Sequence, residues 1–297
     1  MTEQPRWIDA ASPSWPVRLA HLESPPNGFW QLGTIGPAVP SVAVVGSRRA
    51  TFAGMEIARS IGRDLGDAGV QVVSGMALGI DAAAHSGALD SGGSTVAVLG
   101  CGIDVCYPPR HAELRSRIVA SGSVITEAPR GTPPLKYNFP KRNRIIAALA
   151  HAVVVVEATE RSGALSTARW AADLGREVLA VPGSIRSRQS SGTNLLIRDG
   201  ARPFLGIDDL LEAVPELREA MPAGALDTLP GRAGGGLERF SPPLREILAR
   251  MGTQPVHPDQ IGVALGLSAS LVASRLGALE LAGAVMSLPG GLVARTV

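Results

Sequence analysis

Short runs of β-branched apolar residues alternate with helix-like stretches along most of this chain. Six runs are predicted to be strands: Val42–Gly46, Val70–Ser74, Thr95–Gly100, Val124–Thr126, Ala152–Glu157 and Glu177–Val181. The stretches after them have helical periodicity, at Gly54–Ala68, Ile80–Leu89, His111–Ala120, Arg142–Ala150 and Ala164–Leu174. This alternation is typical of a parallel sheet that helices cover on both faces. We therefore predict an α/β fold with a doubly wound, mostly parallel, Rossmann-like sheet.

Composition divides the rest of the chain. Residues 1–40 are predicted to be a short N-terminal extension, and residues 41–213 the Rossmann-like domain. Residues 214–237 are rich in Pro, Gly and Ala, which predicts a flexible linker. In residues 238–297, two helical stretches meet at Gly266 and a Pro-Gly-Gly turn begins at Pro289. This pattern predicts a small C-terminal winged-helix domain.

The overall composition excludes several classes of protein. The longest apolar stretch, Ile145–Val156, is interrupted by His151 and is too short to cross a bilayer. We therefore predict no membrane partner and a cytoplasmic location. Two cysteines are too few for a disulfide framework or a four-ligand zinc site, so no metal is predicted.

Basic residues are concentrated between Arg110 and Arg144, where eight stand against two acidic residues, although the chain's net charge is only +2. The segment Lys136–Arg144 holds the chain's two lysines and, between them, Tyr137 and Phe139. Cations can contact successive phosphates and exposed rings can stack unpaired bases, a combination typical of single-strand binding. Pro133, Pro134 and Pro140 are expected to hold residues Thr132–Arg144 extended. A solvated basic loop with an inward-facing Phe139 is the alternative.

The loop after the first predicted strand, Gly46-Ser47-Arg48, leads into a helix. Its backbone N–H groups and the helix dipole are expected to favour a phosphate, although a purely structural turn is the alternative. The loop lacks the G-x-G-x-x-G spacing, and no acidic residue ends the second strand. Both absences argue against NAD, and we predict no cofactor.

Three further elements have two interpretations each. The helix start near Ser162 suits a phosphate or a sugar, but capping alone would explain it. Asp81 and His85 could form a catalytic or metal-binding pair, whereas a helix cap and a hydrogen-bonded histidine are the structural interpretation. The second helix of the winged-helix domain has Arg275 as its single basic residue, which favours contact with protein over reading of duplex DNA.

Several motifs stand in the order found in the DprA/Smf family of DNA-processing proteins, and residues 12–214 resemble that family continuously. They are G-S-R, S-G-M-A-x-G-I-D-x-x-A-H, D-x-x-Y-P, F-P-x-R-N-R-I-I, S-G-A-L-x-T-A and A-V-P-G. The C-terminal domain is similar to the winged helix of many members. Residues 1–40 are too short for the helical N-terminal domain that many members carry.

The resemblance implies a homodimeric protein that is not an enzyme and that binds and protects incoming single-stranded DNA. It would displace or accommodate single-strand-binding protein and load RecA recombinase in natural transformation (competence) and recombination. Lys136 would contact the DNA backbone and Phe139 would stack a base. The full set of DNA-binding residues implied by the motifs is Gly46, Ser47, Arg48, Lys136, Phe139, Arg142, Asn143, Ser162, Gly163, Ser166 and Arg169.

The alternative function is that of a nucleotide-phosphate hydrolase of the lysine-decarboxylase-like Rossmann group, whose glycine loops are similar. Such an enzyme needs a carboxylate directed at the sugar. The candidates are Asp81, Asp104, Glu127 and Glu157.

Overall fold

A computed structural model describes residues 4–35, 39–221, 240–251, 255–281 and 284–295 of the chain. The chain divides into two compact units, Met1–Ala225 and Leu226–Val297.

The described part of the first unit contains a nine-stranded sheet. Its strands are β1 (Arg6–Asp9), β2 (Gly28–Gly33), β3 (Ser41–Val45), β4 (Gln71–Ser74), β5 (Thr95–Val98), β6 (Ser123–Thr126), β7 (Ala152–Val155), β8 (Glu177–Ala180) and β9 (Arg202–Pro203). Their order across the sheet is β1-β2-β6-β5-β4-β3-β7-β8-β9. The strands from β6 to β9 in this order are parallel, whereas β2 pairs antiparallel with β6 and with β1. The predicted α/β fold is confirmed.

Helices connect the strands and cover both faces of the sheet. They are α1 (Phe52–Asp67), α2 (Ile80–Asp90), α3 (Ala112–Ser121), α4 (Asn138–Leu149), α5 (Ala164–Asp173), α6 (Ser191–Arg198), α7 (Ile207–Ala213) and α8 (Pro215–Ala220). On β5, Val96 and Val98 pack in the core that includes α4 and α5, and Ala97 packs with Ile118 of α3 on the other side. Because successive strand residues face opposite ways, both faces of β5 are buried.

The sheet begins earlier than the sequence predicted. Strands β1 and β2 lie within the predicted extension of residues 1–40 and lengthen the sheet beyond β6. Phe29 of β2 is buried in the main core and stacks on Trp15 at 5.4 Å. At the other end, α8 occupies the first residues of the predicted linker, and its Leu217 is fully buried. The remainder of that linker, residues 222–239, lies outside the described residues.

The second unit has the predicted winged-helix order. It contains α9 (Pro242–Arg250), α10 (Pro258–Leu265), α11 (Ala269–Leu281), β10 (Val285–Leu288) and β11 (Leu292–Arg295). Gly266 ends α10 with a φ of 64°, and the hairpin turn holds Gly290 and Gly291 at positive φ, as the predicted turns require. In the described ranges no single helix is long and apolar enough to cross a membrane; α10 and α11 pass that test only as a pair, bent by 116°.

Helices α1 and α2 approach each other closely through glycines. A Cβ on Gly62 would lie 2.2 Å from the Ala84 carbonyl oxygen, and one on Gly87 would lie 2.0 Å from the Arg59 carbonyl oxygen. These obstacles are backbone atoms, so a change of side-chain rotamer cannot relieve the clash. The two helices must separate if either glycine gains a side chain.

We expect Gly87→Ala to lower the free energy of unfolding by about 1–3 kcal/mol, the usual cost of overpacking. Urea unfolding followed by tryptophan fluorescence measures this in the first unit alone, because the four tryptophans lie at positions 7, 15, 30 and 170. Gly206→Ala is the matched control, because its Cβ would meet no atom within 4 Å and its φ is 178°. Equal stability of the two variants would refute the close helix contact.

Candidate nucleic-acid interface

A cleft of about 800 Å³ opens at the carboxyl edge of the parallel strands. In this sheet the direction of winding reverses at β3, which lies between β4 and β7, and ligands bind at such switch points. The loop or helix that follows each of the parallel strands β3, β4, β5, β6, β7 and β8 contributes residues to the cleft. The lining residues are Val45, Gly46, Ser47, Arg48, Arg49, Ala77, Asp81, Tyr107, Pro134, Lys136, Phe139, Pro140, Arg142, Asn143, Ile146, Thr159, Ser162, Gly163, Ala164, Thr167, Arg188 and Gln189.

The cleft brings together most of the predicted site. All the predicted residues line it except Ser166 and Arg169. The Ser166 hydroxyl accepts a hydrogen bond from the Asn143 amide at 3.2 Å, so this serine orients another residue of the site. Arg169 is exposed on α5 and is not part of the lining. The sequence placed both on the correct helix but could not determine which side of that helix faces the cleft.

The loop after β3 differs from the expected phosphate cradle. The Glu157 carboxylate already lies at the start of α1, where it accepts hydrogen bonds from the Thr51 N–H at 2.9 Å and the Thr51 hydroxyl at 2.6 Å. The Gly54 N–H donates to Thr51 Oγ1, and the Ser47 N–H donates to the Glu157 carbonyl. The protein's own Glu157 carboxylate therefore caps the start of this helix, and the phosphate site predicted at Gly46-Ser47-Arg48 stays a prediction.

The same loop contributes positively charged side chains to the cleft. Arg48 and Arg49 line the cleft directly after β3. From the far side, Gln189 donates to the Arg49 carbonyl oxygen at 2.9 Å and accepts from the Ser47 hydroxyl at 3.3 Å. These hydrogen bonds join the loops after β3 and β8. They also bring Arg188, which the sequence analysis missed, to the cleft.

The Lys136–Arg144 segment is not one extended loop. Helix α4 begins at Asn138, four residues before the predicted start, and Pro140 lies in its first turn. Proline is tolerated there because the first-turn N–H groups have no partner within the helix. Lys136 precedes the helix and lines the cleft, whereas Tyr137 is 70% exposed and does not. The helix start therefore separates residues that are adjacent in sequence.

Phe139 is half-buried among three neighbours. A Cβ on Gly100 would lie 2.9 Å from Phe139 Cδ1, so the ring packs directly on the Gly100 backbone. The Arg48 guanidinium carbon is 4.9 Å from the ring centroid, a cation–π geometry. The Tyr107 ring has its centroid 5.8 Å away and is tilted by 40°. Tyr107 had no predicted role, although it follows β5 at the carboxyl edge, where ligands are expected.

Arg142 is a buried structural member of the site. Its guanidinium donates to the carbonyl oxygens of Gly75, at 3.0 Å, and of Val98. Burial lowers the pKa of Arg142 to about 10, and the nearby Asp81 carboxylate opposes that decrease. The residue therefore shapes the floor of the cleft and ties the loop after β4 to the end of β5.

Asp81 and His85 have structural partners. The Asp81 carboxylate accepts hydrogen bonds from the N–H groups of Gly75 at 3.1 Å and Ala77 at 3.3 Å. These bonds fix the turn around Met76, whose φ of 56° is unusual for a residue with a side chain. Burial raises the pKa of the Asp81 carboxyl, and Arg142 opposes the rise.

The hydrogen bonds of His85 define its tautomer. The Thr95 hydroxyl donates its proton to the Val72 carbonyl oxygen, so it must accept from His85 Nδ1–H at 2.7 Å. Nε2 is buried and has no hydrogen-bond partner within the described residues. Burial lowers the pKa of His85 to about 3. The structural interpretation of His85 is confirmed.

We expect this buried imidazole to make the first unit acid-sensitive. In the unfolded chain the histidine binds a proton below about pH 6.5, whereas in the folded protein it stays neutral. The free energy of unfolding should therefore fall by up to ~1.4 kcal/mol per pH unit as the pH drops from about 6.5 toward 3. Urea unfolding between pH 4.5 and 7 should show a flatter pH dependence for His85→Asn. Thr95→Val, which keeps the imidazole, should lower stability but keep the slope. Parallel slopes for His85→Asn and the unmodified chain would contradict this assignment.

Comparison with known proteins supports the same fold. Residues 6–215 match the family model for DNA recombination-mediator protein A, and residues 233–291 match the DprA winged helix domain. Protein Smf from Synechocystis sp. is 36% identical over 97% of this chain and 79% of that protein. Protein Smf from Escherichia coli is 37% identical over 98% of this chain and 78% of that protein.

Two solved structures share the fold. DNA processing protein A from Streptococcus pneumoniae is 38% identical with a TM-score of 0.67, over 70% of this chain and 74% of that chain. DNA processing protein A from Helicobacter pylori is 27% identical with a TM-score of 0.65, over 72% of this chain and 97% of that chain. The chain belongs to the DprA/Smf family of DNA recombination-mediator proteins.

Proposed function

We propose that the cleft binds single-stranded DNA. The observation that carries this proposal is that Phe139 lines the same cleft as four cationic side chains: Arg48, Arg49, Lys136 and Arg188. Cations attract the phosphates, and a ring at the cleft can stack a base whose faces are free. A duplex keeps its base faces covered. The Helicobacter pylori relative is described as having a single-stranded DNA binding mode, which agrees with this assignment.

We propose binding rather than catalysis at this site. Each candidate carboxylate of the alternative hydrolase has a structural partner: Asp81 and Glu157 accept backbone N–H groups, Asp104 accepts the Gly131 N–H at 2.8 Å, and Glu127 pairs with Arg144 at 2.5 Å. Only Asp81 lines the cleft, and it is buried. Thermal stabilisation by a nucleoside monophosphate, with none by oligonucleotides, would favour the hydrolase.

We expect single strands to bind more tightly than a duplex of the same sequence, and Lys136→Glu to weaken single-strand binding on the order of tenfold. Fluorescence anisotropy with a labelled oligothymidylate at fixed salt measures both. Lys136 lines the cleft, so its replacement should also make the dependence of log affinity on log salt less steep, by about 0.7 in the magnitude of the slope.

Lys141→Glu is the matched control for charge. It changes the net charge equally, but Lys141 lies outside the lining and its ammonium is 3.9 Å from the Glu127 carboxylate. It should change the affinity by less than about twofold. Equal weakening by the two variants, or equal affinity for single strand and duplex, would reject the cleft as a single-strand site.

The family resemblance suggests a wider role. We propose that the protein is a homodimer that protects incoming single strands in natural transformation and recombination, acts on strands covered by single-strand-binding protein, and loads RecA. Adding it to such covered strands should shorten the lag in RecA-dependent ATP hydrolysis. A lag unchanged by saturating protein would reject the loading role while leaving DNA binding intact.

A further inference from the structure

A second cavity lies at the amino edge of the parallel strands, at the opposite end of β3 from the cleft. Ser41 at the start of β3 lines it, whereas Val45 at the end of the same strand lines the cleft. The residue steps between them span about 13 Å of extended chain. The cavity, called the amino-edge pocket below, has a volume of about 230 Å³. This is smaller than most sites for drug-sized ligands, so the pocket suits a compact group.

The walls of the amino-edge pocket are mainly apolar. The apolar lining residues are Pro16, Val17, Ile35, Val39, Val73 and Leu149. Two polar lining residues already bond to the protein: the Ser41 hydroxyl donates to the Leu149 carbonyl oxygen at 2.8 Å, and the Gln71 side-chain amide donates to the Ser94 hydroxyl at 3.0 Å. These walls therefore suit an apolar ligand group better than a fully hydrated ion.

Arg18 brings a positive charge to this pocket. It belongs to a short 3₁₀ helix, Val17–His21, and lines the cavity. Across the described residues, no hydrogen bond or ion pair engages its guanidinium. Burial lowers the pKa of Arg18, and the charge of Arg176 lowers it further, by more than the exposed Glu216 carboxylate raises it. The protonated guanidinium therefore lacks a compensating anion, which a ligand can supply.

The groups around Arg18 do not remove this lack. Arg176 donates to His21 Nδ1 at 2.6 Å, and its Nε is buried with no partner among the described residues. Burial lowers the pKa of His151, in the pocket wall, to about 4, and Arg18 lowers it further. Helix α4 ends in the wall and α5 ends shortly before Arg176. A helix C-terminus carries about half a unit of negative charge, so these ends offset the two guanidiniums only in part.

We propose that the amino-edge pocket binds a carboxylate that carries a compact apolar group. The apolar group packs against Ile35, Val73 and Leu149, and the carboxylate pairs with the Arg18 guanidinium. A free organic acid and the C-terminal residue of a polypeptide share this chemistry. An inorganic phosphate has the charge but would leave the apolar walls unfilled. Because the pocket and the cleft lie at opposite ends of β3, this site is independent of the proposed DNA binding.

An NMR titration of the full chain, with labelled methyl groups and N-acetyl-leucine as the probe, tests the proposal. Shifts should be confined to lining residues such as Val17, Ile35 and Leu149. The dissociation constant should be in the millimolar range, as is usual for a ligand of about twelve non-hydrogen atoms. N-acetyl-leucinamide lacks the carboxylate and acetate lacks the apolar group, so each should bind about tenfold more weakly or worse.

A glycine hexapeptide extended by a C-terminal leucine distinguishes the two sources of the ligand. Binding at least as tight as that of N-acetyl-leucine would assign the pocket to a polypeptide C-terminus. Binding of N-acetyl-leucine without the peptide would assign it to a small organic acid. Absence of shifts at the lining methyl groups with both probes would overturn the proposal.

Variants locate the charge that holds the carboxylate. Arg18→Gln should weaken N-acetyl-leucine binding by about tenfold and leave the affinity for N-acetyl-leucinamide within about twofold. Arg63→Gln is the matched control, because it removes the same charge from an exposed residue of α1 outside the pocket lining. Val17→Asp is a second variant, at a position 62% exposed, and its carboxylate next to Arg18 should compete with the ligand.

Equal weakening by Arg18→Gln and Arg63→Gln, or equal affinity for the acid and its amide, would overturn the proposal. Displacement of N-acetyl-leucine by saturating oligothymidylate would also overturn it, because the two sites would not be separate. Absence of any preference for single strands would reject the proposed function and leave the result for this pocket unchanged.

Discussion

Burying the guanidinium of Arg142 removes a permanent charge from water, which costs several kcal/mol unless the protein replaces the lost hydration. The replacement consists of the carbonyl oxygens of Gly75 and Val98, together with the field of the Asp81 carboxylate. A Cβ on Gly75 would lie 2.4 Å from the guanidinium, so that position has no room for a side chain. Phe139 lies one helical turn before Arg142 on α4, and its position is therefore set by the same buried anchor.

The other constraint on the site is how the loop after β3 uses its hydrogen-bonding groups. The Thr51 and Gly54 amides at the start of α1 already donate to Glu157 and Thr51, and the loop before them presents the cationic side chains of Arg48 and Arg49 to the cleft. Side-chain cations tolerate many positions of the phosphate, and stacking on rings does not depend strongly on the base. Both properties suit the proposed binding of single strands irrespective of their sequence. They also make affinity strongly dependent on salt.

The sequence was sufficient for the parts of the fold that depend on burial. Fully apolar strands such as Val42–Gly46 are stable only between two covered faces, and the rule that ligands bind at the carboxyl edge then indicated the candidate site. The parts that depend on tertiary contact were not predictable in the same way. Strand β1 has four residues and only Ile8 buried, so it carries almost no pattern. Glu157 caps α1 through Thr51, about a hundred positions away in sequence, and no local sequence pattern predicts such a contact.

The basic segment shows why composition overstates a binding site. Arg142 is buried against carbonyl groups, and Arg144 donates to the Glu127 carboxylate and to a backbone carbonyl, so both serve the fold. Lys141 lies near the same carboxylate and outside the cleft lining. Lys136 alone of the four basic residues combines exposure with a place in the cleft. The cleft's positive charge comes from separate loops after β3, β6 and β8, so it exists only when the sheet brings those loops together.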